Sequence, residues 1–222
     1  MEISNDMKNS MMKSGTTLIG IVCKEGIVMA SDRQTTGGNI VMHKDTQKTV
    51  PINDYLLYSG CGLAAAIRRT SKIIGAELRL KELHSKSKPT VRQSANLLAQ
   101  IIYYNIRQPS MIPDEMGALI GGFNEDGSTE LYTIDPAGNI QIVSDFDASI
   151  GSGMQYVLGL LERQYKKNIS VDDGVKLAVE ALKSSTQRDT GSGYGIDVFT
   201  ITKNGITKVI DQEIVPEYRD KK

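Results

Sequence analysis

The sequence predicts an α+β fold in which two antiparallel sheets lie between two outer layers of helices, a four-layer αββα sandwich. Short β-branched runs occur in groups separated by tight polar turns, which indicates hairpins and hence antiparallel sheets. Two pairs of amphipathic segments alternate with these groups, and two sheets that each need cover require helices outside them. The composition shows no linker and no internal repeat, so we expect one domain.

Nine runs predict the strands. The clearest hairpin joins 17–23 to 27–31 across Lys24-Glu25-Gly26, because a glycine in a short polar break permits a tight turn. The charged segment 211–222 is expected to be an exposed tail. The other strands are expected at 47–50, 55–60, 117–123, 129–134, 140–143, 196–202 and 206–210.

Four segments repeat apolar residues at the helical period. Thr90 with Gln93 predicts a capping box at the start of the second. The last two span 154–165 and 171–187, and Ser170 can cap the fourth. The stripes expected to face the sheets are Ile73, Ala76, Leu80 and Leu83 in the first helix, Val91, Ala95, Leu98, Ile102 and Ile106 in the second, Met154, Val157, Leu158 and Leu161 in the third, and Val171, Val175, Ala178 and Leu182 in the fourth.

Composition excludes several classes of function. The formal net charge is zero and no basic patch carries interleaved aromatic residues, so we expect no nucleic-acid partner. No apolar run is long enough to span a membrane, which favours a cytoplasmic protein. Cys23 and Cys61 lie in apolar runs and are expected to be buried free thiols. With His43 and His84 as the only histidines, a histidine metal site or a Ser-His-Asp triad is hard to build, and we expect no metal and no cofactor.

A hydroxyl nucleophile needs a base within hydrogen-bond reach. One base is available to any chain, its own α-amino group, whose reference pKa is about 7.7–8.0. Thr16 would carry both groups if the residues before it were removed, and Gly15 has no side chain to hinder bending of the peptide for attack. Gly-Thr-Thr alone indicates little, because such triplets are common at the starts of strands.

The surrounding sequence resembles the mature part of a proteasome β subunit of the archaeal 20S type, from Thr16 to roughly Asp211. The motifs are Gly15-Thr16-Thr17, Ala30-Ser31-Asp32-Arg33, His43-Lys44, Lys48, Gly151-Ser152-Gly153, Gln187-Arg188-Asp189 and Ser192-Gly193. The resemblance implies the N-terminal-nucleophile hydrolase fold and a threonine endopeptidase of peptidase family T1. It further implies that 1–15 is a propeptide removed by autolysis and that 16–222 is a single catalytic domain.

The resemblance also implies a role for each matched residue. Thr16 would be the nucleophile and its freed amine the base. Lys48 would lower the pKa of both groups, and Asp32 would orient Lys48 and keep it charged. The remaining members are Ser152, Asp189 and Ser192, which would position the amine and its proton, and Gly62, whose amide would donate to the oxyanion.

By the same resemblance, a specificity pocket would be lined by Thr35, Thr46, Val50, Gly60, Ala64 and Arg68. Ala65-Ala66 stand where many β subunits carry Gly-Asp, which bears on substrate preference more than on catalysis. Gly60 leaves room at the base of this pocket, and Arg68 adds a cation if it points inward. We therefore expect tolerance for acidic or polar residues at the cleavage site.

The implied assembly is four stacked seven-membered rings, with β rings inside and α rings outside, fed with unfolded proteins by a regulatory ATPase. Two alternatives stay within the fold: a silent structural β subunit, disfavoured because Gly15, Thr16 and Lys48 are present, and a bacterial two-ring relative, disfavoured by the length and C-terminal tail. The segment Asp189-Thr190-Gly191-Ser192 spells an aspartic-protease signature. A polar stretch precedes it and no second copy exists, so we reject that interpretation.

Overall fold

The computed structural model describes residues 15–215 and 217. Within these residues, twelve strands form two five-stranded antiparallel sheets and a separate hairpin, and four helices are present. In chain order they are β1 (Leu18–Cys23), β2 (Gly26–Asp32), β3 (Thr35–Gly37), β4 (Ile40–His43), β5 (Thr49–Pro51), β6 (Leu56–Gly62), β7 (Met116–Phe123), β8 (Thr129–Ile134), β9 (Ile140–Ile142), β10 (Phe146–Asp147), β11 (Gly195–Thr202) and β12 (Gly205–Glu213). The first sheet has the order β10-β1-β2-β11-β12, the second β5-β6-β7-β8-β9, and β3 pairs with β4.

Four helices cover the sheets: α1 (Ala64–Ser85), α2 (Val91–Ile106), α3 (Met154–Gln164) and α4 (Val171–Arg188). The predicted capping box is confirmed at α2, where Thr90 accepts from the Gln93 amide and Gln93 accepts from the Thr90 amide. The predicted Ser170 cap of α4 is confirmed as well. Both caps satisfy backbone donors that a helix start leaves free.

Three apolar clusters establish the layer order. One joins α1 and α2 to the outer face of the second sheet, with Ile74 and Leu98 among its members. Another joins α3 and α4 to the outer face of the first sheet, through Val157 and Leu182. The third lies between the sheets and includes Met29. The order helix–sheet–sheet–helix follows, which confirms the predicted fold class.

The predicted face of α1 is wrong. Leu80 and Leu83 are 50% and 58% exposed. The residues of α1 that are buried are Ala66, Thr70, Ile74 and Leu78. The first two residues of this buried face are small or polar, Ala66 and Thr70, so the larger exposed leucines dominate the periodic pattern. In α3, the predicted core residue Met154 is also partly exposed, at 37%.

Three strands lie where none was predicted. The β3–β4 hairpin stands outside both main sheets and shows no regular alternation, and β10 has only two residues. β12 extends to Glu213, so the first residues of the predicted tail are strand. The propeptide prediction for 1–14, and the tail prediction for 216 and 218–222, lie outside the described residues. Both cysteines are buried and free, as predicted.

Candidate active site

The candidate site lies where β1 begins and β2 ends. These strands are antiparallel neighbours with Leu18 opposite Ser31, so the residue before β1 lies beside the last residue of β2. The Asp32 amide donates to the Thr17 carbonyl at 3.3 Å. Thr16 and Thr17 are 2% and 1% exposed, so the predicted nucleophile is held at the edge of the inter-sheet core.

Lys48 directs its ammonium at the predicted nucleophile. Its Nζ lies 2.7 Å from Asp32 Oδ1, 3.0 Å from Thr16 Oγ1 and 3.2 Å from the Gly15 carbonyl oxygen. The three contacts match the three donors of an ammonium group. Both side chains of the ion pair are buried, so water screens the Lys48 charge only weakly at the Thr16 hydroxyl.

Asp32 accepts four hydrogen bonds. Besides Lys48, Oδ1 accepts from the Thr17 amide at 2.9 Å, and Oδ2 accepts from the Gln34 amide at 2.9 Å and the Gly193 amide at 3.1 Å. Burial raises the pKa of Asp32, and the Lys48 charge together with these amide bonds opposes that rise. The fixed carboxylate therefore holds the Lys48 ammonium in place.

A second set of polar side chains in the site lies at the Thr16 nitrogen. In the uncleaved chain this nitrogen is an amide, and it occupies the position that the α-amine would take after cleavage. It donates to Ser152 Oγ at 3.2 Å, and Ser152 Oγ donates to Asp189 Oδ2 at 2.6 Å. Ser192 Oγ donates to the same Asp189 oxygen at 2.6 Å and lies 2.8 Å from Thr17 Oγ1. The structure thus brings Ser152, Asp189 and Ser192 together beside the Thr16 nitrogen.

Asp189 is fixed by the end of α4. Its amide donates to the Ser185 carbonyl in the last turn of the helix, and its Oδ1 accepts from the Gly191 amide at 3.1 Å. The aspartic-protease interpretation gains nothing here, because the partners of Asp189 are hydroxyl and amide groups.

Gly62, the predicted oxyanion donor, ends β6 with a φ of 123°. An added Cβ would lie 2.4 Å from the Glu115 carbonyl oxygen, so only glycine fits this conformation and this space. Burial raises the pKa of the neighbouring Cys61 thiol, and smaller interactions with the Thr16 side chain and the Gly62 amide lower it. The Gly62 amide therefore lies close to the predicted nucleophile.

Cys61 is a site residue that the sequence prediction missed. Burial raises the pKa of its thiol, so the group is neutral and acts as a small packing residue beside Thr16. Its position next to Gly62 was the one signal in the sequence that could have placed it here.

The predicted processing site is packed closely. The Gly15 amide donates to Thr36 Oγ1 at 2.8 Å, and the Gly15 carbonyl oxygen accepts from Thr16 Oγ1 at 2.5 Å. A Cβ added to Gly15 would lie 2.1 Å from Gly191 Cα, so no side chain fits without moving the backbone.

The structure brings only some of the residues of the predicted specificity pocket into contact. Thr35 Oγ1 donates to Thr46 Oγ1 at 2.8 Å, and Val50 is half-buried. Ala64 and Arg68 are exposed on the first two turns of α1. The space beside Gly60 is closed, because an added Cβ would lie 2.6 Å from the Tyr58 hydroxyl and 2.8 Å from Ile67 Cγ2.

His43 and His84 are exposed. Within residues 15–215 and 217 there is no group of three or more histidine, cysteine or acidic residues that could hold a metal ion. None of the helices described combines the length and the hydropathy needed to cross a bilayer.

Two antiparallel sheets between helix pairs, with a threonine hydroxyl just before the first strand and facing a lysine, define the class of N-terminal-nucleophile hydrolase folds. The family described as "Proteasome subunit" matches residues 12–201, and the chain belongs to that family.

Curated archaeal proteins named "Proteasome subunit beta" match most of the chain. The protein from Nanoarchaeum equitans is 43% identical over 194 residues, covering 87% of this chain and 96% of the relative. The protein from Methanobrevibacter smithii is 36% identical over 201 residues, 90% of this chain and 93% of its own length. The protein from Methanopyrus kandleri is 34% identical over 204 residues, with coverages of 91% and 95%.

Proposed function

We propose that this chain is a threonine-type endopeptidase subunit of a 20S proteasome core, with Thr16 as its nucleophile after autolysis of the Gly15–Thr16 bond. The observation that carries the proposal is the convergence of three groups on one hydroxyl. The ammonium of Lys48 lies 3.0 Å from Thr16 Oγ1 while it is held by Asp32 at 2.7 Å, and the Gly15 carbonyl is adjacent. A surface ion pair would have no reason to point at a buried hydroxyl.

The first reaction is removal of the leader. Thr16 Oγ attacks the Gly15 carbonyl carbon, the carbon–nitrogen bond breaks, and the hydroxyl proton ends on the Thr16 nitrogen, which leaves an ester. Water then adds to the ester carbonyl, which frees a Gly15 carboxyl group and the Thr16 hydroxyl. Lys48 is positioned to stabilise the charge on the Gly15 oxygen during attack, because its Nζ lies 3.2 Å away.

The second reaction is peptide hydrolysis by the same atoms. The freed Thr16 amine accepts the proton of its own hydroxyl, Oγ bonds to the substrate carbonyl carbon, and the proton passes to the leaving nitrogen. Water releases the acyl group and restores the hydroxyl. Lys48 lowers the pKa of the neighbouring amine and hydroxyl, since a positive charge favours their less protonated forms.

The other site residues act on the two groups that become charged in this cycle, the Thr16 amine and the substrate carbonyl oxygen. Ser152, hydrogen-bonded to the Thr16 nitrogen and to Asp189, orients the amine and relays its proton. The Gly62 amide donates to the carbonyl oxygen as it becomes negative, and loss of such a donor costs on the order of 10²–10³ in rate.

Membership of the proteasome subunit family supports an assembled state. We propose that the chain forms a seven-membered β ring flanked by α subunits, in the cytoplasm. A regulatory ATPase acting through the α ring would supply unfolded proteins to a closed chamber. Sequestration limits cleavage to chains that can be threaded inside.

N-terminal sequencing and intact mass of the protein assembled with an α-type subunit test the proposal. The expected first residues are Thr-Thr-Leu-Ile-Gly, and the expected mass corresponds to residues 16–222. A Thr16→Ala variant should keep its leader and cleave no peptide. A silent structural subunit would instead keep Met1 in the assembled wild type, and peptide cleavage by Thr16→Ala equal to that of the wild type would refute the proposal.

A further inference from the structure

A cavity of about 490 Å³ opens beside the candidate site. It reaches the site through Gly151, where an added Cβ would lie 2.2 Å from the Thr16 carbonyl oxygen and 3.5 Å from Cys61 Sγ, and through Cys61 and Gly62 themselves. Its other walls come from the segment before and at the start of β7, from the end of β8 with the following turn, and from residues 149–150. The cavity is therefore continuous with the place where a substrate carbonyl would be attacked.

The residues that line the cavity indicate which part of a substrate it would receive. None of the six predicted specificity-pocket residues lines it. If the acyl part of the substrate occupies the predicted specificity pocket and its carbonyl oxygen lies at the Gly62 amide, this separate cavity is left for the part that leaves. Resting on the proposed function, we propose that this cavity receives the residue immediately after the cleaved bond and that it selects a basic side chain there.

The charge of the cavity wall carries the second half of the proposal. Glu115 and Asp135 are the carboxylates among its lining residues, and no lysine, arginine or histidine lines it within the described part of the chain. The Cys61 thiol adds no charge, because burial raises its pKa. A lysine or arginine side chain entering this space meets two negative groups and no positive group among the residues that line it.

Each carboxylate keeps acceptor capacity for such a side chain. Asp135 Oδ1 accepts from the amides of Ala137 and Asn139, which fixes the turn, and both bonds use this one oxygen. Among residues 15–215 and 217, the Glu115 carboxylate has no hydrogen bond or ion pair. A fixed carboxylate and a free one at the same wall can both face a long cationic side chain.

The expected size of the selection is modest, because the cavity is open to water. Exposed ion pairs contribute about 0.2–1 kcal/mol, equivalent to roughly 1.4- to 5-fold in a rate ratio. Two carboxylates acting together therefore give about a 3- to 10-fold preference for lysine over glutamate in kcat/KM.

Internally quenched peptides test the proposal with the processed, assembled protein. The peptides share every residue up to the cleaved bond and carry lysine, glutamine or glutamate immediately after it, and mass spectrometry verifies that the same bond is cut. The wild type should prefer lysine to glutamine to glutamate, and the lysine-to-glutamate ratio should shrink at high salt. Glu115→Gln and Asp135→Asn should each lower that ratio.

Glu125→Gln is the matched control, because this exposed carboxylate lies on the β7–β8 turn and lines a different surface. It should leave the ratio unchanged. Equal kcat/KM for all three peptides in the wild type, or ratios unaffected in both Glu115→Gln and Asp135→Asn, would overturn the proposed selectivity while leaving the protease intact. Failure of the proposed function shows itself separately, as a wild type that cuts none of the peptides or a Thr16→Ala variant that cuts them equally.

Discussion

Two charge clusters start from consecutive residues at the end of β2, and their buried cations, Lys48 and Arg33, differ in what they contact. Asp32 extends into the candidate site and pairs with Lys48. Arg33 extends toward β11 and β12, where its guanidinium contacts Asp197 and Asp211. Successive residues of an extended chain face opposite ways, so one strand end supplies both clusters.

In the second cluster, every hydrogen bond that the Arg33 side chain donates to a described residue goes to a carboxylate. Arg33 also reaches Asp45 at 3.3 Å, and Lys208 bridges Asp197 at 2.9 Å and Asp211 at 2.8 Å. These contacts connect β2, β11 and β12, which are neighbours in the first sheet. The cluster holds strands together and presents no donor to a reactive atom.

Lys48 differs because only one of its three contacts is a carboxylate. The other two are the neutral oxygens of Thr16 and Gly15, which change their charge during the proposed reaction. In this chain the buried cation that also contacts neutral oxygens lies at the proposed reaction centre, and the buried cation whose hydrogen bonds all go to carboxylates connects strands. The following variants test that distinction.

Lys48→Met should have the largest effect. We expect kcat/KM for peptides to fall on the order of 10⁴-fold, since the variant removes the charge that activates the hydroxyl and amine. Asp32 is then buried without its partner, so the free energy of unfolding should also fall, by about 3–5 kcal/mol. Peptide hydrolysis and denaturant unfolding measure the two effects.

The matched control is Lys72→Met on the exposed face of α1, which should change neither quantity. Near-normal hydrolysis by a folded Lys48→Met protein would show that the Lys48 ammonium is not needed for the reaction.

Arg33→Met should have the reverse profile. It leaves Asp197, whose side chain is fully buried, with Lys208 as its remaining cation, so we expect a loss of roughly 3 kcal/mol in the free energy of unfolding. Activity per folded molecule should stay within a few fold of the wild type. Equilibrium unfolding combined with active-site titration separates the two.

Arg69→Met removes an exposed pair with Asp114 and serves as the control, with an expected cost below about 1 kcal/mol. A drop in activity of a hundredfold with unchanged stability in Arg33→Met would assign that cluster a role in the reaction.

Ser152→Ala separates the role of the Ser152 hydroxyl from that of the Lys48 ammonium within the candidate site. It removes the hydroxyl between the Thr16 nitrogen and Asp189 but leaves the Lys48 ion pair intact, so we expect a smaller loss of about 10²-fold in kcat. Steady-state kinetics across pH measures it. Ser184→Ala, which loses only a bond to the Tyr156 carbonyl, should behave as the wild type, and a loss in Ser152→Ala as large as that in Lys48→Met would contradict the ranking.

The smallest effect is expected at low pH in the second cluster. Hydrogen bonds from Lys208 and Arg33 lower the pKa of Asp211 from 3.8 to about 2. A lowered carboxyl pKa stabilises the fold above the unfolded value of 3.8, and that stabilisation disappears as the pH falls through 2. The difference in Tm between wild type and Asp211→Asn should therefore be constant above about pH 4 and should decrease as the pH falls from 4 to 2. A difference that grows with acidity would contradict this assignment.

Much of the fold could be predicted because hairpins and helix caps are local signals. The turn at Lys24-Glu25-Gly26 and the caps at Thr90 and Ser170 depend on residues within a few positions of one another. The buried face of α1 could not be predicted in the same way, because Ala66 and Thr70 face the sheet while larger leucines face outward. Tertiary packing overrode the periodic signal there.

The candidate site could be predicted only through the resemblance to a known family. Nothing local indicates that Lys48 reaches Thr16, since the two are 32 positions apart and meet through the pairing of different strands. Cys61 was missed because an apolar run indicates burial without saying beside what. The carboxylate pair Glu115 and Asp135 was missed for a similar reason, as the cavity between them is assembled from separate segments.

The tight seating of Thr16 and Thr17 has a consequence for the new chain end that the proposed cleavage would create. Ends of polypeptides usually fray and are then trimmed by exopeptidases. This end would be anchored at once, since the Thr16 carbonyl accepts from the Gly153 amide and Thr17 is bonded to Asp32 through both its amide and its carbonyl. An aminopeptidase could not bind such a terminus in its own cleft, so Thr16 would remain the first residue for as long as the sheet stays folded.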